Sequence, residues 1–370
     1  MEYTSEKMRT GRMYGGMKSK GIKSFMLAAV FVTGLLASGC LGWTAAGYIP
    51  QEEVSTIDIG EDTVLVGGMP VGIYMETDGV LVLDTQTIEG VDGQEYDPAD
   101  NLVKSGDYII GINQEYVSGK DDLIQVLKNL TDKEVVLTLR REDETVDVRL
   151  EAVENSPNDY KLGIWVRDNV QGLGTITFLN QNSRFGALGH GIHDADTNVL
   201  MEIEEGSLYK TSIRSILKGE YGIPGSMEGL IVYNSFNRLG SIDKNTEAGI
   251  YGAVDKIDDL FQEQIPVQVA PKEEIHTGEA VIRCFLEDEI REYSVMINGV
   301  DPEPKEVNKG IVFQVTDQEL LDKTGGIIQG MSGSPILQDG KLVGAVTHVF
   351  VNDPTKGYGI FAETMVREAQ

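Results

Sequence analysis

The chain has 370 residues, room for about two domains, and its hydrophobic fraction of 41% excludes wholesale disorder. Acidic residues number 59 against 31 basic, and the net charge of −28 excludes nucleic-acid binding through a general basic surface. Two cysteines, Cys40 and Cys284, and four histidines exclude a disulfide framework and a cysteine-rich zinc site.

Residues 1–23 form a basic head with Lys7, Arg9, Arg12, Lys18, Lys20 and Lys23. Residues 24–51 then carry no Asp, Glu, Lys or Arg, and this predicts a transmembrane or signal helix over 24–43 followed by a linker over 44–62. Basic residues before such a run place the N-terminus inside and the rest outside. A cleaved signal peptide is the rival reading, and either one exports the acidic remainder. Cys40 then falls in the membrane, and Cys284, in AVIRCFLED, is expected as a buried strand residue.

A small module is expected over 63–153. DTVLVGGMPVGIYM and GVLVLDTQTI predict strands, and SGDYIIGINQEYV predicts a hairpin. DDLIQVLKNL predicts a short amphipathic helix with Leu123, Val126 and Leu127 on its apolar face and Asp121 or Asp122 as cap. EVVLTLRREDETVDVRLEAV predicts two closing strands. This order, with Gly106, Asp107, Ile110, Ile112, Asn113 and Val117, resembles a PDZ domain of the bacterial protease-associated type. The resemblance implies that an extended peptide binds as an added strand. Its carboxylate-binding loop would fall at Met69, Pro70, Val71, Gly72 and Ile73, with Pro70 removing one donor. A rigid spacer without a ligand is the alternative.

From residue 161 to 370 short strands alternate with Gly, Asn and Asp turns, the pattern of a sandwich or barrel. Asp339-Gly340 between PILQ and KLVGAV signals a tight hairpin. The chemistry concentrates in GGIIQGMSGSP, residues 325–335. Glycines around Ser332 let the backbone turn sharply and present Oγ, and the N–H groups of Gly330 and Ser332 can converge on an oxyanion. Ser334 is the rival hydroxyl. A serine nucleophile needs a base, and His190, between Gly189 and Gly191 at a strand end, has the fitting context. His193 and His276 read as surface residues, and His348 reads as a pocket-lining residue on the strand after the nucleophile. A carboxylate must orient the imidazole. Asp317 is the expected one, with Asp194 and Asp196 as alternatives; Asp317 also fits as the N-cap of QELLDK. No metal and no cofactor is called for.

TDQELLDKTGGIIQGMSGSPILQDGKLVGAVTHVFVNDPTKGYGIF, FGALGHGIHDADT and NRLGSIDKNTEAGIYG closely resemble segments of the stage IV sporulation protein B family of serine peptidases. The turn GIPGSMEG, 222–229, departs from the more charged turn expected there. The resemblance implies a mainly β chain: an N-terminal helix, a PDZ domain, then a chymotrypsin-like double β-barrel over 161–370 with His190, Asp317 and Ser332 as its triad. It implies an exported, membrane-tethered endopeptidase in the space between forespore and mother-cell membranes. Such an enzyme cleaves its own N-terminal segment and a membrane-bound regulatory protein, which releases an intramembrane protease to process a late sigma-factor precursor. The competing readings are a quality-control protease with a PDZ domain and an inert protease-like PDZ binding protein. The PDZ-first order and the intact set His190, Asp317 and Ser332 argue against them.

Overall fold

The computed structural model describes residues 62–370 except 262–263, so the expected basic head and transmembrane or signal helix lie outside the described residues. Among the described residues no helix is long and apolar enough to cross a membrane.

The described chain begins with β1 (Thr63–Val66) and the long strand β2 (Pro70–Thr85). It runs on through β3 (Tyr108–Ile112), α1 (Lys120–Lys128), β4 (Glu134–Arg141) and β5 (Glu144–Glu151). It returns as β6 (Ile164–Leu179), antiparallel to β2 from Ile164 opposite Thr85 to Thr175 opposite Pro70. The segment 78–163 is therefore a module inserted on a two-stranded stem, rather than one that precedes the following domain.

The module closes over Val80, Val82, Ile109, Ile112, Leu123, Leu137, Leu139, Val148 and Leu150. Its expected hairpin is present: Tyr108–Ile112 pairs with Glu115–Tyr116 around Asn113 and Gln114, with φ of 51° and 69°. Two consecutive left-handed residues give the turn whose twist suits flanking strands. The helix buries Leu123 as expected, but its cap differs. Gly119 is the N-cap, and Asp122 instead reaches back to the Ser118 N–H (3.1 Å) and Oγ (2.7 Å) from inside the first turn.

The first barrel continues with β7 (Arg184–Ala187), β8 (Ile203–Leu217), β9 (Ser226–Ile231), β10 (Arg238–Thr246) and β11 (Gly249–Val254). Pairings run from β2 to β6, β7, β11, β10, β8 and back to β2, so the ring closes. Its interior holds Val71, Ile73, Met75, Ile176, Phe185, Leu208, Ile242 and Ile250.

This closure corrects the expected carboxylate-binding loop. Val71, Gly72 and Ile73 lie in mid-strand, opposite Gly174, Leu173 and Gly172 on β6 and opposite Lys210, Tyr209 and Leu208 on β8. Met69 precedes them, and its carbonyl accepts from Ile176 N at 3.1 Å. A strand paired on both edges has no free row of N–H groups to offer a peptide or its carboxylate.

The second barrel comprises β12 (Gly278–Leu286), β13 (Glu289–Val300), β14 (Ile311–Val315), β15 (Pro335–Gln338), β16 (Lys341–Phe350) and β17 (Asp353–Phe361). They close in the order β12-β13-β14-β17-β16-β15. Helix α2 (Gln318–Thr324) stands between β14 and β15, and α3 (Ala362–Glu368) ends the chain. Asp339 and Gly340, with φ of 52° and 76°, form the expected β15–β16 hairpin. Cys284 is buried in β12 beside Ile282, Tyr293 and Val295, and burial pushes its thiol up to about 12.

One ion pair inside the module tests its packing. Asp107 is 2% exposed, and Arg141 binds it through Nε and Nη2, each at 2.7 Å. The same carboxylate accepts from Lys104 N at 2.8 Å. Replacing one partner leaves a buried charge without its counter-charge, which costs about 3–5 kcal/mol. Arg141→Met should therefore lower the urea midpoint of the module's transition, while the double change Arg141→Met with Asp107→Leu restores much of it. A single variant that unfolds like the wild type would refute that account.

Candidate active site

The two barrels meet along an apolar seam, with Phe178 and Tyr251 from the first packed with Leu342, Ala345, Ile360 and Met365 from the second. The glycine-rich loop between α2 and β15 lies on this seam. The Thr175 N–H donates to Ser332 O at 2.9 Å, and Thr175 Oγ1 donates to Gly330 O at 2.8 Å. Thr177 Oγ1 donates to Gly333 O at 2.7 Å. Gly333 has φ of 95°, and a Cβ there would overlap Thr175 O and come within 2.6 Å of Leu188 N, so a side chain has neither the backbone angle nor the space. From the opposite side, the β8–β9 hairpin braces the loop: Gln329 N donates to Gly225 O and Met227 N donates to Gln329 O, each at 2.9 Å. The atypical turn 222–229 is thus part of the site's support.

His190 reaches the same place from the first barrel. After β7 the chain reverses through Leu188 (φ 67°) and Gly189 (φ 70°). A Cβ on Gly189 would stand 2.8 Å from Ile360 Cγ2 and 3.0 Å from Thr347 Cγ2, so the glycine lets the histidine loop press against the second barrel. His190, Gly330, Ser332, Thr347 and His348 then line one cavity of about 520 Å³, walled by Leu173, Leu188, Ile327, Ile328 and Val349. A larger cavity of about 730 Å³, beside Arg283, Glu292 and Ser294, includes neither Ser332 nor His190.

Within the site, Ser332 Oγ donates to Thr347 O at 3.0 Å. His190 Nδ1 lies 2.8 Å from Gly191 O. A proton on Nδ1 makes that contact a hydrogen bond and leaves Nε2 as the lone-pair nitrogen, the tautomer a base requires. Burial pulls the His190 pKa down; the Gly191 carbonyl and Glu247 oppose this, and His193 adds to it. The His348 ring is 5.1 Å from that of His190 and tilted by 40°. Burial and then the charge of His190 push His348 down to about 4, so at neutral pH it lines the cavity as an uncharged ring.

Ser334 is 0% exposed and its Oγ sits among buried atoms, so the rival hydroxyl cannot meet a substrate. Among the described residues the contacts of Asp317, the expected carboxylate, are with backbone N–H groups. Asp317 Oδ1 caps α2 by accepting from Leu320 N (3.1 Å), and Oδ2 accepts from Ser294 N (3.3 Å). The capping role expected of it is present. The alternatives are engaged elsewhere: Asp194 and Asp196 both pair with Arg167 on β6, and Asp194 also holds its own turn through Thr197 N. His276 bonds Asp339 at 3.1 Å on the surface. His193, read as a surface residue, is partly covered and meets Glu247. Sequence reading missed Thr175, Thr177 and Glu247. The two threonines on one face of the otherwise apolar GTITF strand were the available signal, because a buried hydroxyl needs a partner.

No curated protein matches the chain. Among solved structures it is similar to the Rv3671c protease from M. tuberculosis in its active form, at 13% identity and a TM-score of 0.31, over 55% of this chain and 73% of that one. The inactive form of that protease gives 14% identity and a TM-score of 0.29, over 54% and 82%. The HtrA-type protease AlgW with a decapeptide gives 9% identity and a TM-score of 0.33, over 82% of this chain and 64% of that one. The model of the SpoIVB peptidase S55 family matches residues 158–366, which takes in both barrels from β6 onward and every residue of the cavity that could act on a peptide bond. The chain belongs to the SpoIVB peptidase S55 family and is a serine peptidase.

Proposed function

We propose that the chain is an exported, membrane-tethered serine endopeptidase in which Ser332 is the nucleophile and His190 its general base. The observation that carries this reading is the meeting of the two side chains, one from each barrel, in a single apolar-walled cavity. Ser332 Oγ turns from Thr347 O toward His190 Nε2, loses its proton to that nitrogen and attacks the scissile carbonyl. The N–H groups of Gly330 and Ser332 receive the oxyanion. Neither of these N–H groups donates to a protein acceptor among the described residues. The imidazolium then protonates the leaving amine, and water repeats the cycle on the acyl-enzyme. Ile327, Ile328 and Val349 suit an apolar substrate side chain.

The inserted module recruits the protein substrate; its PDZ-like order of hairpin, helix and hairpin supports this, while Val71, Gly72 and Ile73 take no part. The basic head before an uncharged run supports anchoring, and the family supports a signalling role in sporulation. Its substrates would be a membrane-bound regulatory protein and its own N-terminal segment.

Triad groups act as a unit, so single losses are severe and non-additive. Ser332→Ala and His190→Ala should each reduce cleavage of a labelled protein substrate by on the order of 10⁴-fold, with the double variant little worse. Ser334→Ala should keep its activity, and loss of activity there instead of at Ser332 would displace the nucleophile. The pH profile gives a separate check. Only neutral His190 accepts the proton, and burial lowers its pKa, so the acid limb of kcat/KM should have its midpoint below the ordinary histidine value of about 6.5. A midpoint above that value would contradict the lowered pKa of His190.

A further inference from the structure

We infer that Glu247, acting through His193, is the positioning carboxylate of the site, in place of Asp317. The inference rests on His190 as the base. Glu247 occupies the turn between β10 and β11, on the same barrel as His190 and between it and Ser332 in the chain. A continuous set of contacts links them. Glu247 Oε1 is 3.2 Å from His193 Nε2, His193 Nδ1 is 3.3 Å from Gly191 O, and Gly191 O is 2.8 Å from His190 Nδ1. The turn is pinned to the histidine loop by Asn245, whose Oδ1 accepts from Ile192 N and whose Nδ2 donates to Ile192 O and Met201 O, all at 2.9 Å.

This arrangement does two things. The His193–Glu247 contact fixes the ring that lies against the Gly191 carbonyl, and so fixes the acceptor that selects the His190 tautomer. The carboxylate also supplies negative charge toward the imidazolium that forms when Ser332 attacks. The ionisable groups acting on His190 are His193 from its own loop, Glu247 from the β10–β11 turn and His348 from β16. Glu247 is the acid among them. Its side chain is 59% exposed, so its effect is screened by solvent and salt and is smaller than that of a buried triad aspartate.

The test uses the full chain and a fluorophosphonate probe, which needs no knowledge of the substrate. Ser332 Oγ forms a bond to phosphorus, fluoride leaves, and the hydroxyl proton passes to His190. The labelling rate is followed from pH 4 to 9 at low and high salt, with thermal melting as a check on folding. Glu247→Gln should slow labelling roughly tenfold at low salt and move the acid limb to lower pH, because a contribution that raises the His190 pKa is gone. High salt should narrow the gap between this variant and the wild type. Glu247→Asp should recover most of the rate. Asp317→Ser, which keeps a capping oxygen, should label within about threefold of the wild type. The inference is overturned if Glu247→Gln labels like the wild type at every pH, or if a folded Asp317→Ser loses labelling by orders of magnitude. Labelling of Ser332→Ala would overturn the nucleophile assignment, and the inference with it, which separates that failure from a failure of the carboxylate alone.

Discussion

Two threonine side chains on one strand hold the reactive loop of the opposite barrel. Thr175 binds Gly330 O and Thr177 binds Gly333 O, and the Thr175 backbone adds a third bond to Ser332 O. Each such bond contributes about 1 kcal/mol net, but leaving a buried carbonyl unsatisfied costs about 1–3 kcal/mol. The loop therefore has one well-satisfied position against β6 and poor alternatives. The positions of the Gly330 and Ser332 N–H groups, proposed above to receive the oxyanion, depend on this, because the carbonyls of those same two residues are clamped. The histidine loop shares the same support: Leu188 N donates to Thr175 O at 3.3 Å. A single residue of β6 thus meets both halves of the site.

The stem makes a second connection. β2 and β6 form part of the first barrel and then continue outward as the base of the inserted module. Strands that belong to two units transmit displacement along their pairing, since sliding by one residue would turn every side chain to the other face. Thr175 lies on this same β6, at the barrel end of the stem. The module and the strand that clamps the Ser332 loop are thus joined by continuous strands, whose pairing shifts register between Trp165 and Val166 and between Arg167 and Asn169.

What could be read from sequence was local. The Ser332 loop, the Asp339-Gly340 hairpin, the Asn113-Gln114 turn and the buried Cys284 announce themselves through neighbouring residues, because glycine positions and apolar runs carry their own geometry. The turn that carries His190 into the cavity was legible for the same reason, between two glycines at a strand end. The failures were long-range. Val71, Gly72 and Ile73 alternate as a strand of either unit would, and only pairing with β8 assigns them to the barrel. β8 itself was not anticipated. Apart from the buried Gly206 and Leu208 its residues are partly covered or exposed, with Glu204, Glu205, Lys210 and Arg214 breaking any apolar run. Asp317 was legible as the cap of α2, whereas its suitability for orienting a histidine turns on which barrel faces which.

The electrostatics of His190, the proposed base, follow from the same seam. Packing Gly189 against Ile360 and Thr347 removes water from one side of His190, and this desolvation favours its neutral form. In the proposed mechanism a neutral base at working pH is useful, but unopposed burial would also make the imidazolium costly. The Gly191 carbonyl and the acid at Glu247 act in the other direction. His348, driven neutral by its own burial, adds a polarisable wall without a competing positive charge. The site thus balances exclusion of water, which the seam provides, against support for the charged state, which the histidine loop and the β10–β11 turn provide. Because the first comes from the contact between barrels and the second from within one barrel, a change in the seam alters the pKa of His190 even where no ionisable group is touched.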